Sequence, residues 1–355
     1  MNDIAVLSNA DSVALDDIDV SDPKLYQDDT YYPYFARLRR EDPVHYCRQS
    51  LYGPYWSVTK YKDIMQVEIN HQVYSSDAAI SILDPPKGLE RQSFIAMDPP
   101  KHDEQRLVVS PAVAPGNLAN MEGLIRERTG RILDGLPRGE TFDWVDRVSI
   151  ELTTMMLATL FDYPWDDRRQ LTYWSDVVIA DVRSPESPVH SEEEKFAELT
   201  KMTESLGKLF QERAQLPPKF DLLSMLAHSN ATRNLPFREF MGNLSLLIVG
   251  GNDTTRNSMT GGLMALNEHP TEYQKLRDDP SLIPGMVSEI IRYVTPVIHM
   301  RRTAKEDGEI GGKHIKKGDK VVMWYVSGNR DPDAIADPDS FIIDRPRPRQ
   351  HLSFG

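Results

Sequence analysis

A short stretch of this sequence places a carboxylate and two hydroxyls inside an apolar helix. The hexapeptide "GGNDTT" (residues 250–255) directly follows "LSLLIV". Pro236 suits a first helical turn, and from Phe237 apolar residues recur at helical spacing with no proline before Pro270. The sequence therefore predicts a helix over residues 236–267, roughly 48 Å long at 1.5 Å per residue. Glycine inside a helix costs about 1 kcal/mol relative to alanine, so a purely structural helix would not use this pair.

The residue types in the hexapeptide suit a flat ligand beside an acid and an alcohol. Glycine at positions 250 and 251 lets a ligand lie against the backbone, and a threonine hydroxyl competes for a carbonyl one turn back. We therefore expect a local widening of the helix, with Asp253 and Thr254 beside the ligand. The alternative is a helix packing site with a solvated Asp253, and the hexapeptide alone does not decide between them.

Two charged pairs are further candidates. His102 and Arg106, in "MDPPKHDEQRLVV", lie four apart on one helix face and suit the carboxylates of a planar ligand, because guanidinium binds carboxylate bidentately. Glu289 and Arg292, in "SEIIRY", lie three apart on another helix face. For both pairs the alternative is a solvated surface pair; an exposed ion pair such as Glu289/Arg292 contributes only about 0.2–0.5 kcal/mol.

The elements that must position these residues are mostly helical. Strand-like alternation is confined to "VHYCRQSLYGPYWSVT" and "GGKHIKKGDKVVMWYVS", each of which we predict to be a hairpin. We expect these β segments from opposite ends of the chain to pair. The predicted fold class is mainly α with a small β subdomain. Dinucleotide fingerprints and phosphate-binding loops are absent from the sequence.

The composition of the chain limits its domain organisation and the kinds of partner that it can bind. The 355 residues contain no Ser/Gly-rich linker and no fixed-period repeat, which indicates one large domain. The formal net charge of -13 argues against nucleic acid as a partner, because a phosphate-binding face needs clustered Lys and Arg. The basic run "RPRPRQH" (residues 345–351) is the local exception, either a solvated loop or a small docking patch for an acidic protein.

The N-terminal segment has neither a basic leader nor a long apolar core, so we expect no secretory signal and a loosely held arm over residues 1–30. No apolar run approaches the roughly 18 residues that a membrane span needs. We therefore expect a cytoplasmic protein without a membrane span. The single cysteine, Cys47, excludes an internal disulfide and a cysteine-cluster metal site, as expected in a reducing compartment.

Five motifs in a fixed order carry a family resemblance. "GGNDTT" in a long helix, "EIIR", "MRRTA" before a β hairpin, "DPDSF" and "QHLSFG" succeed one another. In this order they resemble the bacterial cytochrome P-450 enzymes, which are haem-thiolate monooxygenases. The resemblance runs from about residue 31 to the end. The wording of "MDPPKHDEQR" and "IVGGNDTTRNSM" most resembles the soluble branch that hydroxylates the terminal carbon of medium-chain alkanes, fatty acids and related aliphatic chains.

The resemblance implies a cofactor, heme b (iron protoporphyrin IX), and roles for the residues above. Gly250 and Gly251 match the positions where the central helix passes over the haem face. Asp253 and Thr254 match the catalytic acid and alcohol of oxygen activation. An axial thiolate favours O–O cleavage, while the protein supplies protons, orientation and exclusion of water.

The charged pairs also match family positions. His102, Arg106 and Arg302 match the residues that neutralise the haem propionates, and Glu289 with Arg292 matches a buried structural ion pair. The resemblance further implies O2, a small hydrophobic substrate, and electrons from NAD(P)H through a ferredoxin reductase and a [2Fe-2S] ferredoxin. The positions that match the wall of the substrate pocket are Leu246, Val249, Val297 and Ile298.

Two departures from the family pattern stand out. Where the family often has an arginine that completes the Glu289/Arg292 network, this chain has Ser340, and Arg345 is the candidate substitute. The chain ends at Gly355, where the family's haem-binding loop begins, and Cys47 lies in the N-terminal hairpin. We therefore expect residues 31–355 to be a single cytochrome P-450 domain without its cysteine loop and C-terminal helix, with the axial cysteine beyond Gly355. Such a fragment would contain no metal ligand and would be inactive.

Two other classes of protein remain as alternatives. An all-α prenyl or terpene synthase binds magnesium through helix carboxylates, and "NDTTRNSMT" begins like its second metal motif. However, Arg256 and Thr260 stand where a hydroxyl residue and a glutamate are needed, and "DDRRQ" lacks the closing aspartate. The other alternative is a non-catalytic helical binding protein.

Overall fold

The computed structural model describes residues 10–77 and 79–354, which divide into two compact units. The mixed unit comprises residues 10–84 and 261–354, and the helical unit comprises residues 85–260. The single domain expected for residues 31–355 stays a prediction. In the described residues, no helix is long and apolar enough to cross a bilayer.

Helices contribute most of the regular structure, as predicted. In chain order they are α1 (Pro23–Gln27), α2 (Tyr32–Glu41), α3 (Tyr61–Glu68), α4 (Lys101–Val109), α5 (Pro115–Asp134), α6 (Glu151–Phe161), α7 (Arg169–Ile179), α8 (Glu192–Ala214), α9 (Leu222–His228), α10 (Phe237–Glu268), α11 (Pro270–Asp278), α12 (Ile283–Val294) and α13 (Tyr325–Gly328). A π-helical segment, Val145–Ile150, leads into α6. Short 3-10 turns occupy Leu15–Asp17, Phe94–Ala96, Ser110–Val113 and Pro280–Leu282.

The mixed unit contains two sheets. Their strands are β1 (Val44–Cys47), β2 (Tyr55–Val58), β3 (Tyr74–Ser75), β4 (Met300–Ala304), β5 (Gly308–Ile310), β6 (Lys313–Ile315) and β7 (Lys320–Met323). The larger sheet has the order β1-β2-β7-β4-β3, and β5 pairs with β6 in the smaller one. The N-terminal hairpin is confirmed, since β1 and β2 are antiparallel. The pairing of segments from opposite chain ends is also confirmed, because β2 lies parallel to β7.

The second predicted hairpin is wrong. Strand β6 pairs with β5, whereas β7 pairs with β2 and β4. Val321, Val322 and Met323 of β7 are all 0 % exposed, which is typical of a central strand covered on both faces. A central strand needs a neighbour at each edge, and Gly318, at a φ of +90°, turns the chain between β6 and β7.

The N-terminal segment is packed, not loosely held, over residues 10–30. Ile18 and Val20 are each 1 % exposed, and the Tyr26 hydroxyl donates to the Val20 carbonyl at 2.9 Å. Arg37 of α2 donates to the Ala10 carbonyl at 2.7 Å. The expectation of a loose arm is therefore wrong for these residues, and residues 1–9 lie outside the described part of the chain.

Helix α10 confirms the predicted central helix to within one residue at each end. Met241, Leu244 and Ile248 are fully buried and contribute to the core of the helical unit. At Gly242 an added Cβ would lie 2.1 Å from the carbonyl oxygen of Gln92. A residue without a side chain is required there, because the backbone of the 92–93 segment crosses the helix.

Candidate functional site

The two glycines at the centre of α10 have different surroundings. A Cβ added at Gly250 would meet no atom within 4 Å, whereas one added at Gly251 would lie 2.8 Å from Cδ1 of Leu157 on α6. Gly251 therefore permits close packing of α6 on α10, and its expected place against a ligand stays a prediction. Gly250 leaves its side of the helix open, as a ligand-facing glycine must.

The predicted widening of α10 is not present. The helix is continuous from Phe237–Glu268, through the whole hexapeptide. The Thr254 hydroxyl does turn back on the helix, donating to the Gly250 carbonyl at 3.3 Å. Ser258 does the same to the Thr254 carbonyl at 2.8 Å. Hydroxyls thus share carbonyls with the backbone without breaking its hydrogen-bond ladder.

Asp253 is ion-paired, not solvated. Its carboxylate accepts from the Arg256 guanidinium and, at 3.2 Å, from Asn257 Nδ2. Arg256 also donates to Asp176 of α7 at 2.9 Å. Burial lowers the pKa of Arg256, but the two carboxylates outweigh it and raise that pKa above its ordinary value. Arg256 and Asp176 were not among the predicted site residues; the three-residue spacing of Asp253 and Arg256 was the available signal.

A buried chain of hydrogen bonds orients His102. Its Nδ1 donates to the Phe94 carbonyl at 2.8 Å, and the Phe94 amide donates to Asn243 Oδ1 at 2.9 Å. Asn243 Nδ2 donates to Gln105 Oε1 at 2.7 Å, and Gln105 donates to Glu239 at 2.6 Å. This network ties α4 to α10 and places the Nδ1 proton of His102 on the carbonyl side. His102 Nε2 is left for another partner, to which it donates only when the ring is protonated.

Arg106 lies one turn after His102 on α4, as predicted. Its side chain is exposed. Among the described residues, no hydrogen bond or ion pair engages its guanidinium. Arg106 therefore remains available for an anionic group on a ligand.

Arg302, on β4 of the mixed unit, is already paired. Its Nη2 donates to Glu68 Oε2 at 2.7 Å, and its Nη1 donates to the Arg301 carbonyl at 2.9 Å. The side chains of Glu68 and Arg302 are 9 % and 16 % exposed. Glu68 was not predicted, because it is distant in sequence and lies in a segment without any motif.

Glu289 and Arg292 form a buried pair, which removes the surface alternative. They are 0 % and 1 % exposed, and Arg292 donates bidentately to the carboxylate at 2.8 and 2.7 Å. Arg345 Nε donates to the same carboxylate at 3.1 Å, so Arg345 supplies the third charge. Ser340 contributes its carbonyl, which accepts from both guanidinium groups. Because Arg345 is buried here, the basic run that it begins is not wholly a surface patch.

The four apolar candidates lie on different elements. Leu246 and Val249 are half-buried residues of α10 in the helical unit, and Leu246 packs against the core of that unit. Val297 and Ile298 are half-buried in the mixed unit, between α12 and β4. Their role in a substrate pocket stays a prediction.

Comparison with known proteins identifies the class to which this fold and these residues belong. The cytochrome P450 family model matches residues 190–354. Linalool 8-monooxygenase from Pseudomonas putida is 35% identical over 349 residues, covering 95% of this chain and 85% of the relative. The chain therefore belongs to the cytochrome P450 family of haem-dependent monooxygenases, which excludes the prenyl synthase and the non-catalytic alternatives.

One solved structure and one further relative are also similar to this chain. The structure of cytochrome P450-153 from Novosphingobium aromaticivorans has 46% sequence identity and a TM-score of 0.88, with 95% of this chain and 85% of that chain covered. The methyl-branched lipid omega-hydroxylase of Mycobacterium bovis is 30% identical over 334 residues, covering 90% of this chain and 77% of the relative. The mainly α fold with a small β part is thereby confirmed as the cytochrome P450 fold.

The described residues fit the family's cofactor, haem, in part. Gly250 leaves an open helix face, Arg106 is free to meet a carboxylate, and His102 Nε2 can donate to one when the ring is protonated. Cys47 does not fit an axial ligand, because burial raises the pKa of its thiol to about 12 and the thiol donates to the Gln49 carbonyl. Among the described residues, no group of three or more His, Cys, Asp or Glu side chains is arranged to hold a metal ion.

Proposed function

We propose that this monooxygenase hydroxylates the terminal carbon of medium-chain alkanes or related aliphatic chains. The observation that carries the proposal is the 30% identical relative named as an omega-hydroxylase of methyl-branched lipids, since the omega carbon is the chain end. The motif wording that resembles the alkane-hydroxylase branch supports it. Electrons would come from NAD(P)H through a ferredoxin reductase and a [2Fe-2S] ferredoxin, and we propose a cytoplasmic location.

The proposed cofactor contacts are those that the family resemblance implies. His102, Arg106 and Arg302 would neutralise the propionates, and Gly250 would leave room for the ring. When bound, haem would supply the oxidising chemistry that inserts oxygen into a C–H bond. The protein contributes the charge balance and the exclusion of water around it.

Proton delivery is proposed for the acid and the alcohol of α10. Thr254 would hold a proton at Oγ1 beside the reacting oxygen. The carboxylate oxygens of Asp253 would accept protons and transfer them to Thr254. Arg256 donates a hydrogen bond to this carboxylate and so fixes its position. General acid catalysis of this kind contributes typically about 10²–10⁴-fold to a rate.

Selectivity for the chain end must come from the shape of the substrate pocket. A terminal C–H bond is stronger than the internal C–H bonds of the chain, so the terminal carbon is not favoured by its own reactivity. The apolar residues proposed to select the substrate are Leu246, Val249, Val297 and Ile298. None of the four carries a polar atom that would orient a functional group. A substrate held only by such residues is selected by its length and width.

Product analysis tests this proposal. The intact, haem-loaded enzyme is supplied with ferredoxin, its reductase, NADH and octane, and the alcohols are separated by gas chromatography. We expect 1-octanol as the main product. Linalool in a parallel reaction tests the preference of the 35% identical relative. Mainly internal octanols, or turnover of linalool without turnover of octane, would contradict the proposal.

A further inference from the structure

A buried carboxylate on α3 holds the guanidinium of Arg302. Glu68 ends that helix, and its Oε2 accepts from Arg302 Nη2 at 2.7 Å. The Arg301 carbonyl accepts from Nη1 at 2.9 Å. These two contacts restrict a long side chain to one orientation, although they use only some of the five N–H donors of a guanidinium.

The second oxygen of Glu68 has its own donor. The Tyr325 hydroxyl, at the start of α13, donates to Glu68 Oε1. Tyr325 is 2 % exposed, and burial together with the neighbouring Glu68 raises its pKa well above the ordinary value. The phenol therefore stays protonated, and Glu68 is held from one side by Tyr325 while it holds Arg302 from the other.

The next arginine on the same strand has a different environment. Arg301 and Arg302 lie opposite Val322 and Val321 of β7, and as neighbours on a strand they point to opposite faces of the sheet. Arg301 pairs with Asp84, whose side chain is 64 % exposed. A solvated partner constrains a guanidinium less than the buried Glu68 does, so Asp84 provides a matched control.

We propose that Glu68 is a positioning residue for cofactor binding, which orients Arg302 so that its remaining N–H donors meet a haem propionate. The inference rests on the propionate role proposed for Arg302. An arginine carries a large rotamer entropy, and a side chain immobilised before binding does not lose that freedom when the ligand arrives. Tyr325 keeps Glu68 in place and leaves the charge of Arg302 partly available for the propionate.

The test is the rate of haem loss from the intact, haem-loaded enzyme to excess apomyoglobin, followed by absorbance. Immobilising one long side chain corresponds to about a tenfold effect, so we expect Glu68→Gln to release haem about tenfold faster. Asp84→Asn removes the neighbouring ion pairs with Arg301 and Lys320 and should leave the rate unchanged. Thermal unfolding of both variants without haem reports any general loss of stability. An unchanged or slower haem loss in Glu68→Gln would overturn the inference.

Arg302→Gln and the double variant Glu68→Gln/Arg302→Gln separate this inference from the assignment on which it rests. The double variant contains no stranded charge, so it keeps the test available if Glu68→Gln does not fold. If Glu68 acts through Arg302, the double variant loses haem no faster than Arg302→Gln. If Arg302→Gln leaves the rate unchanged, the propionate assignment fails. If Arg302→Gln accelerates loss and the two effects multiply in the double variant, only the role of Glu68 fails.

Discussion

At the scale of single residues, the charged groups of the site have specific partners. Asp253 shares Arg256 with Asp176, and Glu289 shares its carboxylate between Arg292 and Arg345. Each carboxylate is therefore held by a guanidinium. Sequence spacing indicates the partner three residues away but not the partner from a distant segment. Removing one member of a fully buried group should reduce the stability of the fold. Removing one member of a partly exposed group should leave the fold intact, so that an effect on turnover can be measured.

We expect Asp253→Asn to reduce turnover by roughly 10²-fold, in line with the loss of a general acid. The change keeps the size and polarity of the side chain. Asp176→Asn is the matched control, because it removes the other carboxylate on Arg256 and should leave turnover nearly intact. Steady-state rates and solvent isotope effects measure both. Equal losses in the two variants would assign the effect to the ion pair and not to proton delivery.

Arg292→Ala should yield protein that is misfolded and without haem. It removes the bidentate partner of the Glu289 carboxylate, which is 0 % exposed, and leaves Arg345 as the remaining guanidinium on it; breaking a buried pair in this way costs about 3–5 kcal/mol. Expression, haem content and thermal unfolding measure the outcome. Arg126→Ala, which breaks the exposed pair with Glu122, is the control and should have little effect. A soluble, haem-replete Arg292→Ala enzyme would show that the network is not needed for folding.

At the scale of elements, sequence periodicity predicts the bounds of α10 well. It does not predict what surrounds the glycines of that helix. The helix has the predicted bounds, because burial of one face enforces the period. The close approach of Leu157 to Gly251 and of the Gln92 backbone to Gly242 depends on elements distant in sequence. Neither contact leaves a local pattern.

We expect the Gly→Ala substitution to have opposite effects on stability at two positions of α10, Gly242 and Gly250. Gly242→Ala places a Cβ 2.1 Å from a backbone carbonyl oxygen, which cannot move without shifting the 92–93 segment. We expect a destabilisation of about 1–3 kcal/mol from this overpacking. Gly250→Ala meets no atom within 4 Å and should stabilise the helix by up to about 1 kcal/mol. Chemical denaturation of the two variants without haem measures both, and equal effects would contradict the assigned contacts.

At the scale of the whole molecule, the chain forms two compact units, and each has its own core. The mixed unit also holds a half-buried base, His299. Its ring lies 5.0 Å from that of Trp324, and its Nε2 accepts from the Ile82 amide at 3.2 Å. Burial lowers the pKa of His299 to about 4 from 6.5. The folded state therefore favours the neutral form of His299.

The pH dependence of stability follows from that shift. Between pH 6.5 and about 4 the unfolded chain binds the His299 proton and the folded protein does not, so stability falls as the pH is lowered through this window. The full effect is roughly 3 kcal/mol, from about 1.36 kcal/mol per pKa unit. Denaturant unfolding at pH 7 and pH 4.5 should show a smaller difference for His299→Gln than for the native protein. His314→Gln, at an exposed histidine, should leave the difference unchanged.

The class of fold, the family and the central helix follow from the sequence alone, because periodic burial and motif order are local properties of the chain. The sequence also indicated the Glu289/Arg292 pair, which lies within one helical turn. Tertiary structure decided the partners that come from afar: Arg345 on Glu289, Glu68 on Arg302, and Asp176 on Arg256. It also decided that β7 is a central strand, since strand neighbours are chosen by which buried faces meet and not by which strands follow one another.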